Sequence, residues 1–384
     1  MKSAHLSRGL SAAALAVAVL LASCESGPSK AELEAQRLAA ELAARQPPPI
    51  SLNKDVADAA SIYVAFLREA RTIQPGGFPD AESIQVALRK GASYDPNQLS
   101  RGLIAYGSII ALQSPEFVAG VRQYAIDPAQ RQQMVAQIVA DPAYAATLPG
   151  ADAAAGLISS TIGKDAVAMR GIAEAIEQDA YTIQGRSDPR RRWAIVPIPN
   201  REIRLESAKT LSDVDMLPSA DEANLLFAAA NSGTGLAIEP SRKAPPYTPA
   251  VVRSLAIAAL AALGSGGDEA RVNTEALTRE PNSEFCLNMS KLMLFQCLAA
   301  SRPSYEDIFC LGRHVTRDLA TCTTEATQIT TILVGDPQET GGAPARTPIS
   351  VTVPQATPAP TPAAATPAAA ATTQSLNTTP TGPR

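Results

Sequence analysis

Between residues 54 and 322 apolar positions recur three and four apart, and no stretch alternates apolar with polar side chains over the length of a strand. The pattern predicts helices over about 54–73, 80–90, 96–112, 115–125, 128–139, 150–185, 219–230, 249–263, 283–301 and 304–322. Six dipeptides punctuate it: Asp95-Pro96, Ser114-Pro115, Asp127-Pro128, Asp141-Pro142, Asp188-Pro189 and Thr248-Pro249. Asp, Ser or Thr caps free amides at a helix start, and Pro at the first helical position loses nothing by lacking an N–H. The pairs therefore read as helix starts, with an ordinary turn the better reading at Asp188-Pro189. Their spacing is irregular and no shared residue pattern marks a repeat, so the expected fold is all-α, an irregular helical bundle.

Both ends of the chain depart from this pattern. Residues 29–45 (SKAELEAQRLAAELAAR) hold strong helix formers with alternating charge and stop at Gln46-Pro47-Pro48-Pro49, as a stalk, a partner helix or a solvated spacer would. From Gly335 onward the chain is rich in Pro, Ala and Thr, and it holds too few large apolar groups to offset its ordering entropy, so the tail 335–384 is expected to be disordered. The first 23 residues carry Lys2 and Arg8, then an apolar run from Leu10 to Leu21, the build of a secretory signal too short to span a membrane. Leu21-Ala22-Ser23-Cys24 closes that run and resembles the lipobox of bacterial lipoproteins. The resemblance implies that Cys24 receives a thioether-linked diacylglycerol and begins the mature chain, which further acylation would hold firmly to a membrane. Glu25 stands where an Asp would favour retention at the inner membrane, so the expectation is the outer membrane, facing the periplasm. The resulting division is 1–23 signal, 24–50 lipid-anchored spacer, 51–187 N-terminal helical domain, 188–218 interdomain linker, 219–334 C-terminal helical domain and 335–384 tail.

Composition narrows the functions. The formal charge is −4, and −6 without Lys2 and Arg8, which argues against nucleic-acid binding; aromatic residues, at 4%, leave few platforms for stacking. The two histidines are His5, inside the signal, and His314, so the mature chain supports no mechanism built on paired histidines.

Beyond Cys24 the cysteines are Cys286, Cys297, Cys310 and Cys322, and in an exported chain they are expected to be oxidised. Along a helix Cys286 and Cys297 lie ~16 Å apart, too far for a disulfide, whose Cα atoms approach within ~7 Å. If the chain folds back at Ser301-Arg302-Pro303-Ser304 into two antiparallel helices, residues that face each other have numbers of nearly constant sum. That register pairs Cys297 with Cys310 and Cys286 with Cys322, as two rungs of one stapled hairpin over 283–322. Phe285, Met289, Leu292, Met293, Leu298, Ile308, Phe309, Val315 and Leu319 are expected to pack along it. One misfit remains: twelve residues from Cys310 to Cys322 overshoot whole turns by ~120°, which Gly312 or fraying near Cys322 has to absorb. A metal site on Cys297, Cys310 and His314 is the rival reading.

Catalytic motifs are sparse. Ser51-Leu52-Asn53-Lys54 matches Ser-x-x-Lys but follows a proline run and lacks the companion Lys-Thr-Gly, so a helix cap at Ser51 or Asn53 is the plainer reading. Glu174, Glu177 and Asp179 would be the carboxylates of a cell-wall hydrolase, although no motif supports one. Arg190-Arg191-Arg192-Trp193 holds the one Trp and suits a partner or lipid phosphates, against a linker whose Trp plugs the core. Residues 250–263 (AVVRSLAIAALAAL) are too short to span a membrane and read as a buried helix. The expected function is a non-enzymatic envelope scaffold or assembly factor with no cofactor and no metal, bound to membrane by its lipid and to other envelope proteins. The alternative is a helical binding module or chaperone for an apolar ligand or envelope protein.

Overall fold

The computed structural model describes residues 29–44, 46–185 and 189–328; the signal 1–23, Cys24 and the tail 335–384 lie outside them. The described residues are mostly helical, with α1 at Lys30–Ala44, α2 at Lys54–Ala70, α3 at Ala81–Ala92, α4 at Pro96–Ala111 and α5 at Pro115–Arg122. There follow α6 at Pro128–Ala140, α7 at Ala151–Gly185, α8 at Arg192–Ile195, α9 at Arg201–Ser212 and α10 at Ala220–Ser232. The last five are α11 at Pro249–Ala262, α12 at Arg271–Leu277, α13 at Pro281–Ala300, α14 at Ser304–Leu311 and α15 at Asp318–Thr327. Among the described residues there is no strand, only isolated backbone bridges at Leu52–Gly266 and Pro197–Pro303.

The polar-Pro pairs start helices by the expected mechanism. Asp95, Ser114, Asp127 and Thr248 each accept an amide two or three residues ahead, with Pro in the first helical position of α4, α5, α6 and α11. Asp141-Pro142 opens only a 3-10 turn, Pro142–Thr147, and α7 begins later, after Gly150. Glu280-Pro281 is a further such pair: Glu280 caps α13, accepting from the amides of Asn282 and Ser283, both in the first turn. Glu is not among the preferred capping residues, and it serves here because the side chain is buried and also receives the Ser283 hydroxyl.

The core is one contiguous cluster that runs from Leu52 to Ala326. Its centre is α4 against α11, both buried on nearly every side, with α2 and α7 packed on α4. The apolar stretch 250–263 is thus a core helix, closed by Gly264 at φ +72°, whose left-handed conformation lets Ser265 N–H reach back to the Leu260 carbonyl. Among the described residues no single helix is long and apolar enough to cross a membrane.

Two segments differ from expectation. Within 188–218, expected to be a linker, 201–212 form α9, whose buried residues are Arg204, Ala208 and Ser212. With so little apolar surface, α9 gives no hydrophobic period to detect; a buried ion pair and hydrogen bonds hold it. Residues 47–50, assigned to the spacer, sit against the body, where the Pro48 carbonyl accepts from Arg122 at 2.8 Å. The spacer helix α1 itself is exposed along residues 29–39 and opens on reciprocal Ser29–Glu32 bonds.

The hairpin has the register that the cysteine numbers give. Cys286 is bonded to Cys322 and Cys297 to Cys310, each with Cα atoms 5.7 Å apart. The helical overshoot is absorbed from Gly312, the first of the two places expected, and the helix continues through Cys322. From Gly312 to Arg317 the chain makes a π-helical turn, which takes in one extra residue. Removing one residue's ~100° leaves an error of ~20°, the same phase as the eleven α-helical residues between Cys286 and Cys297. Gly312 also lies hard against α7: a Cβ there would meet Glu177 Cγ and Ile176 Cγ2 at 3.0 Å.

Candidate functional site

The hairpin's first arm, α13, carries apolar residues on both its faces. The face turned to the core carries Ser283, Leu287, Ser290, Lys291, Leu294 and Leu298. The opposite face carries Phe285, Met289, Leu292 and Met293, which are 67%, 37%, 46% and 38% exposed. The expectation that these four pack within the hairpin is therefore corrected; Leu298, Ile308, Val315 and Leu319 are buried as expected, and Phe309 is half-buried. Both faces of α13 are rich in apolar residues, so periodicity does not choose between them. The disulfides and Lys291 do.

Lys291 Nζ donates to the Ala92 carbonyl at the end of α3 and to Ser212 Oγ at 2.7 Å, and it lies 3.8 Å from the centre of the Tyr94 ring. Burial draws its pKa down to about 7, against the opposing pull of Asp95 and Asp213. At the other end of the hairpin, the Arg204 guanidinium meets both oxygens of Asp307 at 2.6 Å and also reaches the Leu298 carbonyl and Ser301 Oγ. Asp307 also accepts from Ser301 Oγ at 2.7 Å and Gln85 Nε2 at 2.9 Å; burial pushes its carboxyl up from the ordinary value, which Arg204 and these hydrogen bonds oppose. Arg204 thereby fixes the hairpin bend to α9.

Beside the exposed face, α13 and α15 enclose a groove of about 400 Å³ floored by the Cys286–Cys322 bridge. One wall is Phe285, Met289 and Met293; the other holds Asp318, Thr321 and Glu325. Asp318 Oδ2 lies 3.3 Å from His314 Nδ1.

A second concavity lies under residues 233–248, which run between α10 and α11 without forming a helix. This strap is tied at one end by Leu236 N–H to Gln113 Oε1 at 3.4 Å. At the other end Lys243 N–H reaches the Asp152 carbonyl at 3.0 Å, and Arg242 is paired with Asp152 and Glu116. Gly156 permits this approach, since a Cβ there would lie 2.2 Å from the Ser241 carbonyl oxygen. Between the ties the strap covers a cavity of about 550 Å³ with Leu157, Ala153, Leu236, Ile238 and Pro115 in its lining.

The residues singled out from sequence are dispersed. Arg191 forms a two-pronged pair with Asp179 and reaches the Phe78 carbonyl; Trp193 is half-buried against the core, and Arg190 and Arg192 are exposed. Glu177 is held by Arg317 at 2.6 and 2.9 Å, so Glu177 and Asp179 each face an arginine rather than each other. Lys54 reaches Asp58, and Asn53 caps α2. The rival metal site is overturned, because Cys297 and Cys310 are bonded to each other and cannot join His314 as ligands. The α13 face and the strap pocket escaped sequence reading: an apolar helix gives no sign of which side is covered, and the pocket's walls come from segments far apart in the chain.

No protein-family model matches the chain, and neither a curated protein nor a solved structure shows significant similarity to it.

Proposed function

We propose that the protein is a non-enzymatic cell-envelope scaffold or assembly factor, anchored through acylated Cys24 to the outer membrane and facing the periplasm. The observation that carries this reading is the outward Phe-Met face of α13, presented on an arm pinned by two disulfides. An apolar face left open beside a filled core favours contact with another protein, and two disulfides suit an oxidising compartment. The anchor rests on the lipobox-like Leu21-Ala22-Ser23-Cys24. Chemical crosslinking in intact cells should recover the same envelope proteins reproducibly, and Cys24→Ser should move the protein from the membrane to the soluble fraction. Recovery of no reproducible partner, or an intact mass showing Cys24 without lipid, would remove this reading.

A second reading, a binding module for a small apolar ligand, is favoured by the cavity under the strap, whose volume lies in the range of ligand pockets. Native mass spectrometry of protein purified from cells tests it, since an occupied pocket adds a discrete mass.

A further inference from the structure

Resting on the scaffold reading, we propose that the groove between α13 and α15 receives one helix of a partner protein, apolar on one face and flanked by Lys or Arg. Phe285, Met289 and Met293 stand at i, i+4 and i+8, a ridge of ~12 Å that matches two turns of an incoming helix. Methionine suits this use because its unbranched thioether adapts to differently shaped anchors.

Charge selects the occupant. The facing wall carries the carboxylates of Asp318 and Glu325, two turns apart, and the groove lining contains no Lys or Arg. The same groove on a second copy of this chain would bring the same two carboxylates and no Lys or Arg. The tail 335–384 has only Arg346 and Arg384 as cations, against Asp336 and Glu339, and no run of apolar residues at helical spacing. Anionic lipid would be repelled. An apolar helix with cationic flanks buries the Phe-Met ridge and meets the acidic wall together.

The test uses the full secreted chain with both disulfides intact. Its probes are a synthetic 18-residue peptide, with Leu and Phe on one helical face and Lys at the flanks, and a counterpart with Glu at those flanks. The Lys peptide should bind at least tenfold more tightly than the Glu peptide, and Asp318→Lys with Glu325→Lys should reverse that order. Met289→Glu with Met293→Glu should weaken the Lys peptide at least tenfold; both positions are exposed, so circular dichroism should report an unchanged fold. Equal binding of the two peptides, or a preference unmoved by the Asp318 and Glu325 changes, overturns the proposal. So does a dimer dissolved by the Met289 and Met293 changes, which gives the face to a second copy. Phosphatidylglycerol vesicles released by those same changes would give it to lipid. Photocrosslinking in cells separates this proposal from the reading beneath it. If a photoreactive phenylalanine at 285 captures nothing while other surface positions capture partners, the groove fails and the scaffold stands; if no position captures any, both fail.

Discussion

Arg204 and Asp307 form an ion pair at 2.6 Å, with the Asp307 side chain wholly out of contact with water. Removing one partner strands the other's charge, so Arg204→Met should cost about 3–5 kcal/mol in urea unfolding at pH 7, and the double change Arg204→Met with Asp307→Leu should restore most of it. Lys291 gives a pH signature. Its folded pKa of about 7 lies below the ordinary 10.5, so between these values the unfolded chain binds the proton that the folded chain has shed. Unfolding free energy should therefore rise with pH from about 7 to 10.5, and Lys291→Met should flatten that slope. Neither residue was legible in the sequence. Periodicity counts Lys and Arg as surface, and their partners Ala92, Ser212 and Asp307 lie on other elements, 79 to 199 positions away. The helix caps were legible, because a side chain and an amide two or three residues ahead form a local code that the rest of the chain does not alter.

Among the elements, the hairpin was the most fully legible, since two bridges and a helical rise leave few registers, and its phase error called for an irregularity at Gly312 or near Cys322. The π turn carries one residue beyond what the bridges need. Deleting Arg313, exposed within it, should convert 312–317 to α-helix and leave both disulfides in non-reducing peptide maps, because eleven residues would then separate the second arm's cysteines. Deleting exposed Asn288 from α13 should instead swing Cys286 by ~100° and lose the Cys286–Cys322 bridge. The opposite outcome in either deletion would contradict the phase argument. Helix α9 was the least legible element, since a helix held by Arg204, Ala208 and Ser212 buries almost nothing that a hydrophobic pattern can report.

Across the whole molecule, most of the apolar interior belongs to α2, α4, α7 and α11, while α13 turns two serines and a lysine inward beside its three leucines. The covalent bridges add to these contacts, the inner one contributing roughly 3 kcal/mol by loop entropy in the unfolded chain. After reduction under native conditions, amide exchange in α13 should accelerate sharply while α4 and α11 stay protected, as hydrogen-exchange mass spectrometry can read. The all-helical class was legible because apolar spacing runs through the chain. The uncovered side of α13 was not, for that spacing says a helix has a greasy side but not whether anything lies against it. Met289 and Met293 give that side a chemical vulnerability. Hypochlorous acid or peroxide would convert their exposed thioethers to sulfoxides, turning an apolar ridge polar until methionine sulfoxide reductases restore it.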